Sequence, residues 1–209
     1  MIKLLLTSDG FVNPKIAQEF LKLLDKNPAD VKVLFIPTAA EYKFENKEEM
    51  FYVKESEKEL IVDLGIKKEN IFWLDISNIP VAGDLDSYDV IYVCGGNTFY
   101  LADKFKKAGF DKKLIDLINS GKVYVGVSAG SYIVCPTIEM AYWKRADNNI
   151  VGLKDLTGLN LIPFLLSVHY KPEYAEILEK EIALSKYPVK ILTDGQAIEV
   201  LGDTAKIIE

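Results

Sequence analysis

The sequence of 209 residues predicts an α/β fold, a three-layer sandwich built on a mostly parallel central sheet. Short runs of apolar and β-branched residues are bounded by turn residues, which is typical of buried strands. Segments with apolar residues at three- and four-residue spacing lie between these runs and indicate helices. Because parallel strands are joined by long crossover connections that are usually helical, this alternation favours a parallel sheet covered on both faces. No repeat or linker interrupts the pattern, so we expect a single domain over 1–209.

The elements can be placed in chain order. Strands are predicted at 2–6, 31–36, 71–74, 90–94, 123–127, 161–168, 189–192, 197–201 and 205–208. Helices are predicted at 14–24, at 47–64, at 99–118 with an interruption at Gly109, and from Pro172 to Ser185. The pair Gly202 and Asp203 suits a tight turn, which would join the last two strands in an antiparallel hairpin at the sheet edge. Ligands of such a sheet collect at the carboxyl ends of its strands.

The composition argues against several classes of protein. A formal net charge of -6 leaves no basic surplus to neutralise phosphates, so we expect no nucleic-acid partner. The apolar runs are much shorter than the roughly 20 residues that cross a bilayer, so we expect no membrane span. The N-terminal residues lack the features of a signal peptide, which predicts a cytoplasmic protein. In that reducing compartment Cys94 and Cys135, both in apolar stretches, are expected to be free buried thiols.

The most informative motif is Gly126-Val127-Ser128-Ala129-Gly130, a GxSxG sequence between a predicted strand and a helix-compatible run. This context is the one that a nucleophile elbow requires. A sharp strand-to-helix turn forces the serine into a strained backbone conformation, and small neighbours leave its side chain unhindered. We therefore predict that Ser128 is a nucleophile. Because the first helical amides are unpaired and the helix dipole adds positive charge beside them, the N–H of Ala129 is an oxyanion-hole candidate.

A second glycine motif, Gly95-Gly96-Asn97-Thr98, follows another predicted strand. Paired glycines let the backbone approach a ligand closely, and their amides can point at a developing negative charge. The N–H of Gly96 is therefore the second oxyanion-hole candidate, and Asn97 and Thr98 are substrate-binding candidates. The alternative interpretation is a glycine turn in which Asn97 or Thr98 caps the following helix.

An activated serine needs a general base, and the chain has one histidine, His169. It follows a predicted strand, which places it on the same sheet edge as the two glycine motifs; the alternative is a purely structural histidine. Two aspartates compete to orient the imidazole: Asp194, just after a predicted strand, and Asp147, in the loop between Ser128 and His169. We favour Asp194, because a strand end holds a side chain more rigidly than a long loop does. The alternative for Asp194 and Gly195 is a simple turn.

The chain order with Asp194 is serine, histidine, acid, which differs from the serine, acid, histidine order of the α/β-hydrolases. The sequence resembles instead the peptidase E family, the aspartyl dipeptidases. The resemblance lies in the two glycine motifs, the Cys-Pro-Thr-Ile sequence at 135–138, the strand before His169, and Asp194-Gly195. That family shares a fold with cyanophycinases and class I glutamine amidotransferases. The resemblance covers most of the chain and implies a class I glutamine amidotransferase-like (flavodoxin-like) sandwich.

The resemblance to peptidase E also implies an activity. It implies a serine peptidase that hydrolyses small peptides, among them dipeptides that begin with aspartate. Ser128 would be the nucleophile, His169 the general base, and the amides near Gly96 and Ala129 the oxyanion hole. The sequence departs from the family in having an aspartate, Asp194, where the family has a glutamate, and in lacking the family's longer basic segment after the histidine.

Few residues are candidates for recognising an aspartate side chain. A carboxylate pocket would ideally use a guanidinium group, and the single arginine, Arg145, is a candidate together with Lys171. A solvated surface position is the alternative for both. Acyl transfer needs no cofactor, and one histidine with two separated cysteines cannot form a typical zinc site, so no metal is expected. We expect a small peptide as the partner, and a monomer or homodimer as the assembly.

Other functions stay open on the sequence alone. A cyanophycinase-like or isoaspartyl hydrolase, or an esterase, would apply the same serine chemistry to a different bond. A non-catalytic protein that binds a small molecule would keep the sheet and the glycine motifs without the reaction. Labelling by a fluorophosphonate separates the binding protein from the hydrolases, and a panel of dipeptides, esters and β-linked aspartyl substrates separates the hydrolases from one another.

Overall fold

Nine strands form the framework of the computed structural model, which describes residues 1–42, 47–76, 84–144 and 147–209. The strands are β1 (Lys3–Thr7), β2 (Val33–Ile36), β3 (Ile71–Trp73), β4 (Val90–Val93), β5 (Val123–Val127), β6 (Leu165–Ser167), β7 (Val189–Ile191), β8 (Ala197–Leu201) and β9 (Thr204–Ile208). Seven of them form one sheet in the order β3-β2-β4-β5-β1-β8-β9. The first five in this order are parallel, whereas β8 is antiparallel to β1 and β9 is antiparallel to β8. The remaining pair, β6 and β7, forms a separate parallel two-stranded sheet.

Helices alternate with the parallel strands, as the sequence pattern predicts. They are α1 (Pro14–Leu23), α2 (Thr38–Glu41), α3 (Lys47–Val62), α4 (Thr98–Ala108), α5 (Phe110–Asn119), α6 (Ala129–Tyr132) and α7 (Ala175–Leu184). The expected interruption at Gly109 is confirmed: this residue adopts a φ of 62° and separates α4 from α5. Pro172 opens a 3₁₀ turn, Pro172–Tyr174, that leads directly into α7. The short helix α2 was not predicted, because four residues are too few to show a helical period.

The core lies on both faces of the large sheet. Successive residues of a strand point to opposite faces, and in β4 the side chains of Ile91 and Val93 pack on one face while those of Val90 and Tyr92 pack on the other. The first face is covered by α4, α5 and α7, and the second by α1 and α3. This arrangement is the predicted three-layer α/β sandwich with a mostly parallel central sheet.

The carboxyl ends of the parallel strands bring the glycine motifs to one edge of the sheet. Ser8 follows β1, Gly95 lies just beyond β4, and Ser128 follows β5. The N–H of Ser8 donates to the carbonyl of Gln196 at 3.2 Å, which ties the segment after β7 to the end of β1. The edge where ligands of such sheets collect therefore also receives the segment that connects the small sheet to β8.

Neither cysteine thiol is a reactive group at this edge of the sheet. Cys94 and Cys135 are free and buried, as predicted. Burial raises the pKa of both thiols, which keeps them protonated. None of the helices in the described ranges combines the length and the apolar character that crossing a bilayer requires.

Candidate active site

The turn between β5 and α6 carries the serine of the GxSxG motif. Ser128 adopts a φ of 50° and a ψ of -105°, a conformation that residues other than glycine rarely adopt. Its N–H donates to the carbonyl of Thr7 at 3.1 Å, so the turn is fixed to the end of the neighbouring strand β1. The strain predicted for this position is present, and the serine side chain is partly exposed.

Both glycines of the motif are required by close backbone contacts. A Cβ at Gly126 would lie 2.5 Å from the carbonyl oxygen of Gly130, and a Cβ at Gly130 would lie 2.3 Å from the carbonyl oxygen of Val93. Both obstacles are backbone atoms, which cannot turn away as a flexible side chain can. The buried hydroxyl of Ser131 closes the turn, since it lies 2.8 Å from the carbonyl oxygens of both Thr7 and Gly126.

The imidazole of His169 lies between Ser128 and Asp194. Its Nε2 is 2.9 Å from the Oγ of Ser128, and its Nδ1 is 2.5 Å from Oδ1 of Asp194. A proton on Nδ1 that is donated to the carboxylate leaves Nε2 able to accept the serine proton. His169 adopts a φ of 56°, so it is a second residue with a strained backbone at the site. Of the two aspartates that competed in the sequence, the structure brings Asp194 to the imidazole.

Asp147 lies at the beginning of α4 and not beside the imidazole. Asn97 and Thr98, the two polar residues of the second glycine motif, lie there as well. Oδ2 of Asp147 accepts the N–H of Thr98 at 2.8 Å. Oδ1 of Asn97 accepts the N–H of Tyr100 at 2.9 Å, and its Nδ2 donates to the carbonyl of Asn148 at 2.8 Å. Asn97 and Thr98 are buried, and neither is among the described residues that line the cavity beside the nucleophile candidate, so their substrate-binding role stays a prediction. Because the unpaired amides of a helix N-terminus need acceptors, the capping alternative describes Asn97.

Ser8 is a site residue that no motif indicated. It directly follows β1 and is buried. Its Oγ donates to Oδ1 of Asp194 at 3.0 Å and accepts the N–H of His169 at 2.8 Å. The signal that could have found it is its position, since it is a polar residue immediately after a central buried strand, at the edge where ligands collect.

The carboxylate of Asp194 is stabilised in its ionised form. Burial raises the pKa of this group, but the hydrogen bond and charge of His169 and the hydrogen bond from Ser8 lower it, and the resulting pKa lies below the ordinary value. The charge of the exposed Lys171 lowers this pKa further. An aspartate that stays ionised can stabilise a positively charged imidazolium beside it.

The two candidate oxyanion donors lie next to Ser128. Ala129 follows it at the beginning of α6, and a Cβ at Gly95 would lie 3.2 Å from the Cβ of Ser128, so Gly95 packs against Ser128. Gly96 adopts a φ of 140°, and a Cβ there would lie 2.2 Å from the carbonyl oxygen of Ala39, so this position requires glycine. Within the part of the chain that the structure describes, neither the N–H of Gly96 nor that of Ala129 donates a hydrogen bond.

Three basic residues, Arg145, Lys171 and Lys144, lie close in the sequence to Asp147 or His169. Arg145 lies outside the described residues. Lys171 is exposed and does not line the cavity beside the nucleophile candidate. Lys144, which was not predicted, donates through Nζ to the carbonyl of Val168, the residue before His169. Burial lowers the pKa of Lys144 to about 8, while the charges of two nearby aspartates raise it.

A cavity of about 480 Å³ opens beside Ser128 and His169. Its other walls come from the turn after β1, from α3 and from the glycine pair after β4. Its acidic and aromatic lining residues are Asp9, Phe51, Tyr52, Glu55 and Glu59. Within the described ranges, no group of three or more histidine, cysteine, aspartate or glutamate side chains is placed to hold a metal ion.

The model of peptidase family S51 matches residues 4–208, which is almost the whole chain. The chain belongs to peptidase family S51. As a member of this family it is a serine peptidase, as the sequence predicts. The sequence left open a non-catalytic protein that binds a small molecule. Membership of a peptidase family favours the peptidase over that alternative.

The relatives of this S51 peptidase carry peptidase names. An uncharacterized peptidase of Listeria monocytogenes is 33% identical over 173 residues, covering 81% of this chain and 82% of the relative. An uncharacterized peptidase of Pasteurella multocida is 31% identical over 206 residues, covering 95% of each chain. Peptidase E of Escherichia coli is 33% identical over 91 residues, which is 44% of this chain and 38% of that protein. The resemblance to peptidase E is confirmed.

Solved structures share the fold of this S51 peptidase. A crystal structure of a candidate peptidase E protein from Listeria monocytogenes matches with a TM-score of 0.79 and 30% identity, covering 100% of this chain and 98% of that chain. A peptidase from an acI-B1 actinobacterium matches with a TM-score of 0.69 and 19% identity, covering 100% and 88% of the two chains. The amidotransferase-like α/β sandwich that the resemblance implies is confirmed at the level of the fold.

Proposed function

We propose that this S51 peptidase hydrolyses small peptides in the manner of peptidase E, with Ser128 as nucleophile, His169 as general base and Asp194 as the group that orients the base. The observation that carries the proposal is the position of the imidazole, 2.9 Å from the Ser128 Oγ through Nε2 and 2.5 Å from Asp194 Oδ1 through Nδ1. A nucleophile, a base within hydrogen-bond reach, and a group that orients the base are what acyl transfer by a serine requires.

In the acylation step, the Oγ of Ser128 attacks the carbonyl carbon of the scissile peptide bond while Nε2 of His169 takes the hydroxyl proton. The carbonyl oxygen becomes an oxyanion, which the amides of Gly96 and Ala129 stabilise. The carbon–nitrogen bond then breaks, and the proton on His169 passes to the leaving amine. The acyl group stays on Ser128 as an ester.

In the deacylation step, a water molecule takes the place of the amine. His169 accepts a proton from the water, whose oxygen attacks the ester carbon and forms a second oxyanion. The bond to Ser128 breaks, the serine regains its proton from His169, and the product leaves as a carboxylic acid. Asp194 stabilises the imidazolium in both steps, and its lowered pKa supports this role because the carboxyl stays ionised at neutral pH.

The size of the cavity supports a small substrate. A space of about 480 Å³ beside Ser128 suits a ligand of dipeptide size. Dipeptides that begin with aspartate are the substrates that the resemblance to peptidase E implies, so they belong in the first panel together with other dipeptides, β-linked aspartyl dipeptides and simple esters.

The experiment that tests the proposal replaces the nucleophile. Ser128→Ala should lower kcat on the best dipeptide of the panel by about four orders of magnitude or more. Ser87→Ala is the matched control, because the exposed Ser87 donates its hydroxyl to the carbonyl of Asp84 in a turn that does not line the cavity, and this variant should keep full activity. Undiminished hydrolysis by Ser128→Ala would refute the assignment, and hydrolysis of esters alone would replace the peptidase proposal by an esterase.

A further inference from the structure

The peptide group before the proposed base is held at both of its polar atoms. The carbonyl of Val168 accepts a hydrogen bond from Nζ of Lys144, and the N–H of His169 donates to Oγ of Ser8 at 2.8 Å. Carbonyl and N–H belong to one planar peptide group, so the two bonds together fix its orientation. The N–H of Val168 donates in turn to the hydroxyl of Tyr132 at 3.2 Å. Side chains from three other segments therefore set the direction in which the chain enters His169.

The backbone of His169 needs such support. Its φ of 56° lies in the left-handed region, which costs free energy for a residue other than glycine. A strained conformation of this kind persists only where the surrounding contacts determine it. Rotation of the preceding peptide group would relax the strain and displace Nε2 from the Oγ of Ser128, which lies 2.9 Å away. The bonds to this peptide group therefore bear on the reach of the base.

The carbonyl of Val168 depends on a side chain for its hydrogen bond. Val168 is buried and lies just beyond the end of β6. In the described part of the chain, no backbone N–H donates to its carbonyl; the N–H of Leu192 goes to the carbonyl of Ser167, and the N–H of Tyr170 goes to that of Leu192. Because a buried carbonyl without a donor costs free energy, Lys144 meets a need that the small sheet leaves open.

The surroundings of Lys144 determine its charge. The side chain is half-buried, its Nζ lies 5.6 Å from the ring centroid of Tyr174, and the charges of Asp194 and Asp147 act on it. The ring face and both carboxylates favour the ammonium form. Burial opposes them and lowers the pKa of Lys144 to about 8. The group is therefore charged at neutral pH and loses its charge within a range that kinetic measurements reach.

We propose that Lys144 is a positioning residue for the base: its ammonium group fixes the Val168 carbonyl and, through it, the imidazole of His169, so that the reactivity of Ser128 requires a positive charge on Lys144. Lys144 is not among the described residues that line the cavity, so it acts through His169 and not on the substrate. A bond from a charged donor is stronger than one from a neutral amine, so loss of the proton weakens the hold. This inference deepens the proposed function and rests on it, because the position of His169 matters only if it serves Ser128 as the base.

Lys144 should give the reactivity of Ser128 an alkaline limit. As the pH rises through about 8, Lys144 releases its proton, and the reactivity should fall. Other groups near the site titrate outside this range. Burial raises the pKa of Tyr132 still further above its ordinary value, and it raises the pKa of Glu59 only to about 7. The pKa of Asp194 is lowered, so this carboxylate stays ionised throughout. A fall measured between pH 8 and pH 10 therefore reports the charge of Lys144.

The test follows the rate at which a neutral alkyl fluorophosphonate labels Ser128 between pH 7 and pH 10, corrected for hydrolysis of the reagent. Labelling of the wild type should slow about fivefold from pH 8 to pH 10. Lys144→Met should react about tenfold more slowly than the wild type at pH 7 and should show no further fall above pH 8. Lys144→Arg, whose guanidinium group stays protonated in this range, should recover at least about a third of the wild-type rate at pH 7 and keep it to pH 10.

Lys122→Met is the matched control. Nζ of Lys122 donates to the carbonyls of Asp86 and Tyr88, each at 2.6 Å, and Lys122 precedes β5 whereas Ser128 follows it. This variant also deprives backbone carbonyls of an ammonium donor, but its labelling rate and its alkaline fall should match those of the wild type. A merely structural role of Lys144 would lower the amount of folded protein and leave the pH of the fall unchanged. If Lys144→Met does not fold, the alkaline fall in the wild type and its absence in Lys144→Arg decide the question.

Failure of this inference can be told apart from failure of the proposed function. If Ser128 is labelled but the wild type shows no fall above pH 8, or Lys144→Met reacts at the wild-type rate, the positioning role is wrong and the nucleophile stands. A Lys144→Arg variant as slow as Lys144→Met would overturn the role of the charge. If Ser128 of the folded wild type is not labelled at any pH, the proposed function fails and the inference fails with it.

Discussion

The hydroxyl of Ser8 donates to Oδ1 of Asp194 at 3.0 Å, although 186 positions separate the two residues in the sequence. The Oγ of Ser8 also accepts the backbone N–H of His169 at 2.8 Å. One buried side chain at the end of β1 thus fixes both the orienting carboxylate and the backbone of the proposed base. Ser8 is a positioning residue in this account, since it reaches the reacting atoms only through His169 and Asp194.

Ser8→Ala should lower kcat about tenfold and destabilise the fold. The variant leaves the N–H of His169 without its acceptor, which costs about 1–3 kcal/mol when such a group is buried. It also removes a hydrogen bond that lowers the pKa of Asp194, so the acid limb of the kcat profile should move to higher pH. Ser120→Ala is the control, because it removes a bond of similar kind to the Leu117 carbonyl far from the site. An unchanged pH profile in Ser8→Ala would remove the positioning role.

The two aspartates should respond in opposite ways to replacement by asparagine. Asp194→Asn should lower kcat about a hundredfold or more, because the imidazole loses both its orientation and its charge partner. Asp147→Asn should lower kcat less than tenfold and reduce the free energy of unfolding by about 1 kcal/mol, since Asp147 accepts the N–H of Thr98 at the beginning of α4. Steady-state kinetics and thermal unfolding on both variants decide this, and a severe kinetic loss confined to Asp147→Asn would transfer the acid role to it.

Gly130→Ala should prevent or strongly impair folding. The added Cβ would lie 2.3 Å from the carbonyl oxygen of Val93, so the nucleophile turn would have to separate from β4. We expect a loss of about 3 kcal/mol or more in the free energy of unfolding, at the upper end of the range for overpacking in a core, because the obstacle is a backbone atom that cannot turn away. Gly152→Ala is the control: among the described residues, its chain neighbours apart, no atom lies within 4 Å of its added Cβ, so the strain expected there comes from its φ of 64°. Equal stability of the two variants in urea unfolding would contradict the account of the turn.

Glu59 should make the stability of the protein depend on pH. Its pKa, raised to about 7 by burial with contributions from Asp9, Asp63 and Glu55, lies above the ordinary value of 4.5. The unfolded state therefore releases this proton at lower pH than the folded state, and the folded state loses stability as the pH rises through 7. Glu59→Gln should be more stable than the wild type at pH 8.5 by about 1 kcal/mol, or roughly 2–4 °C in Tm, after allowance for solvent screening. The difference should vanish near pH 4, and a Tm difference independent of pH would disprove the titration.

Much of the fold was predictable because the strands are buried on both faces and therefore stand out as apolar runs. The bounds of β5 match the predicted strand 123–127, and all nine predicted strands occur within a few residues of their expected positions. The pairing was harder to predict. The strands β6 and β7 have three residues each, and nothing in their sequences distinguishes a place in the large sheet from the separate sheet that they form.

The candidate nucleophile and the candidate base could be named from the sequence because their chemistry and their position along the chain agree. Ser128 lies in a motif whose glycines are required by backbone contacts, and His169 is the one histidine of the sequence. Ser8 and Glu59 could not be found in this way, because serine and glutamate are common and their roles arise from contacts between distant segments. The single domain, the cytoplasmic location, the absence of a nucleic-acid partner and the monomer or homodimer stay predictions.

Covalent labelling shows most directly whether His169 activates Ser128. Incubation with a neutral fluorophosphonate, followed by mass spectrometry of the digested protein, should place one phosphonyl group per chain on Ser128. His169→Gln should slow this labelling about a hundredfold or more, because a glutamine amide can accept a hydrogen bond but is too weak a base to take the serine proton. Labelling of another serine, or an equal rate in His169→Gln, would contradict the account.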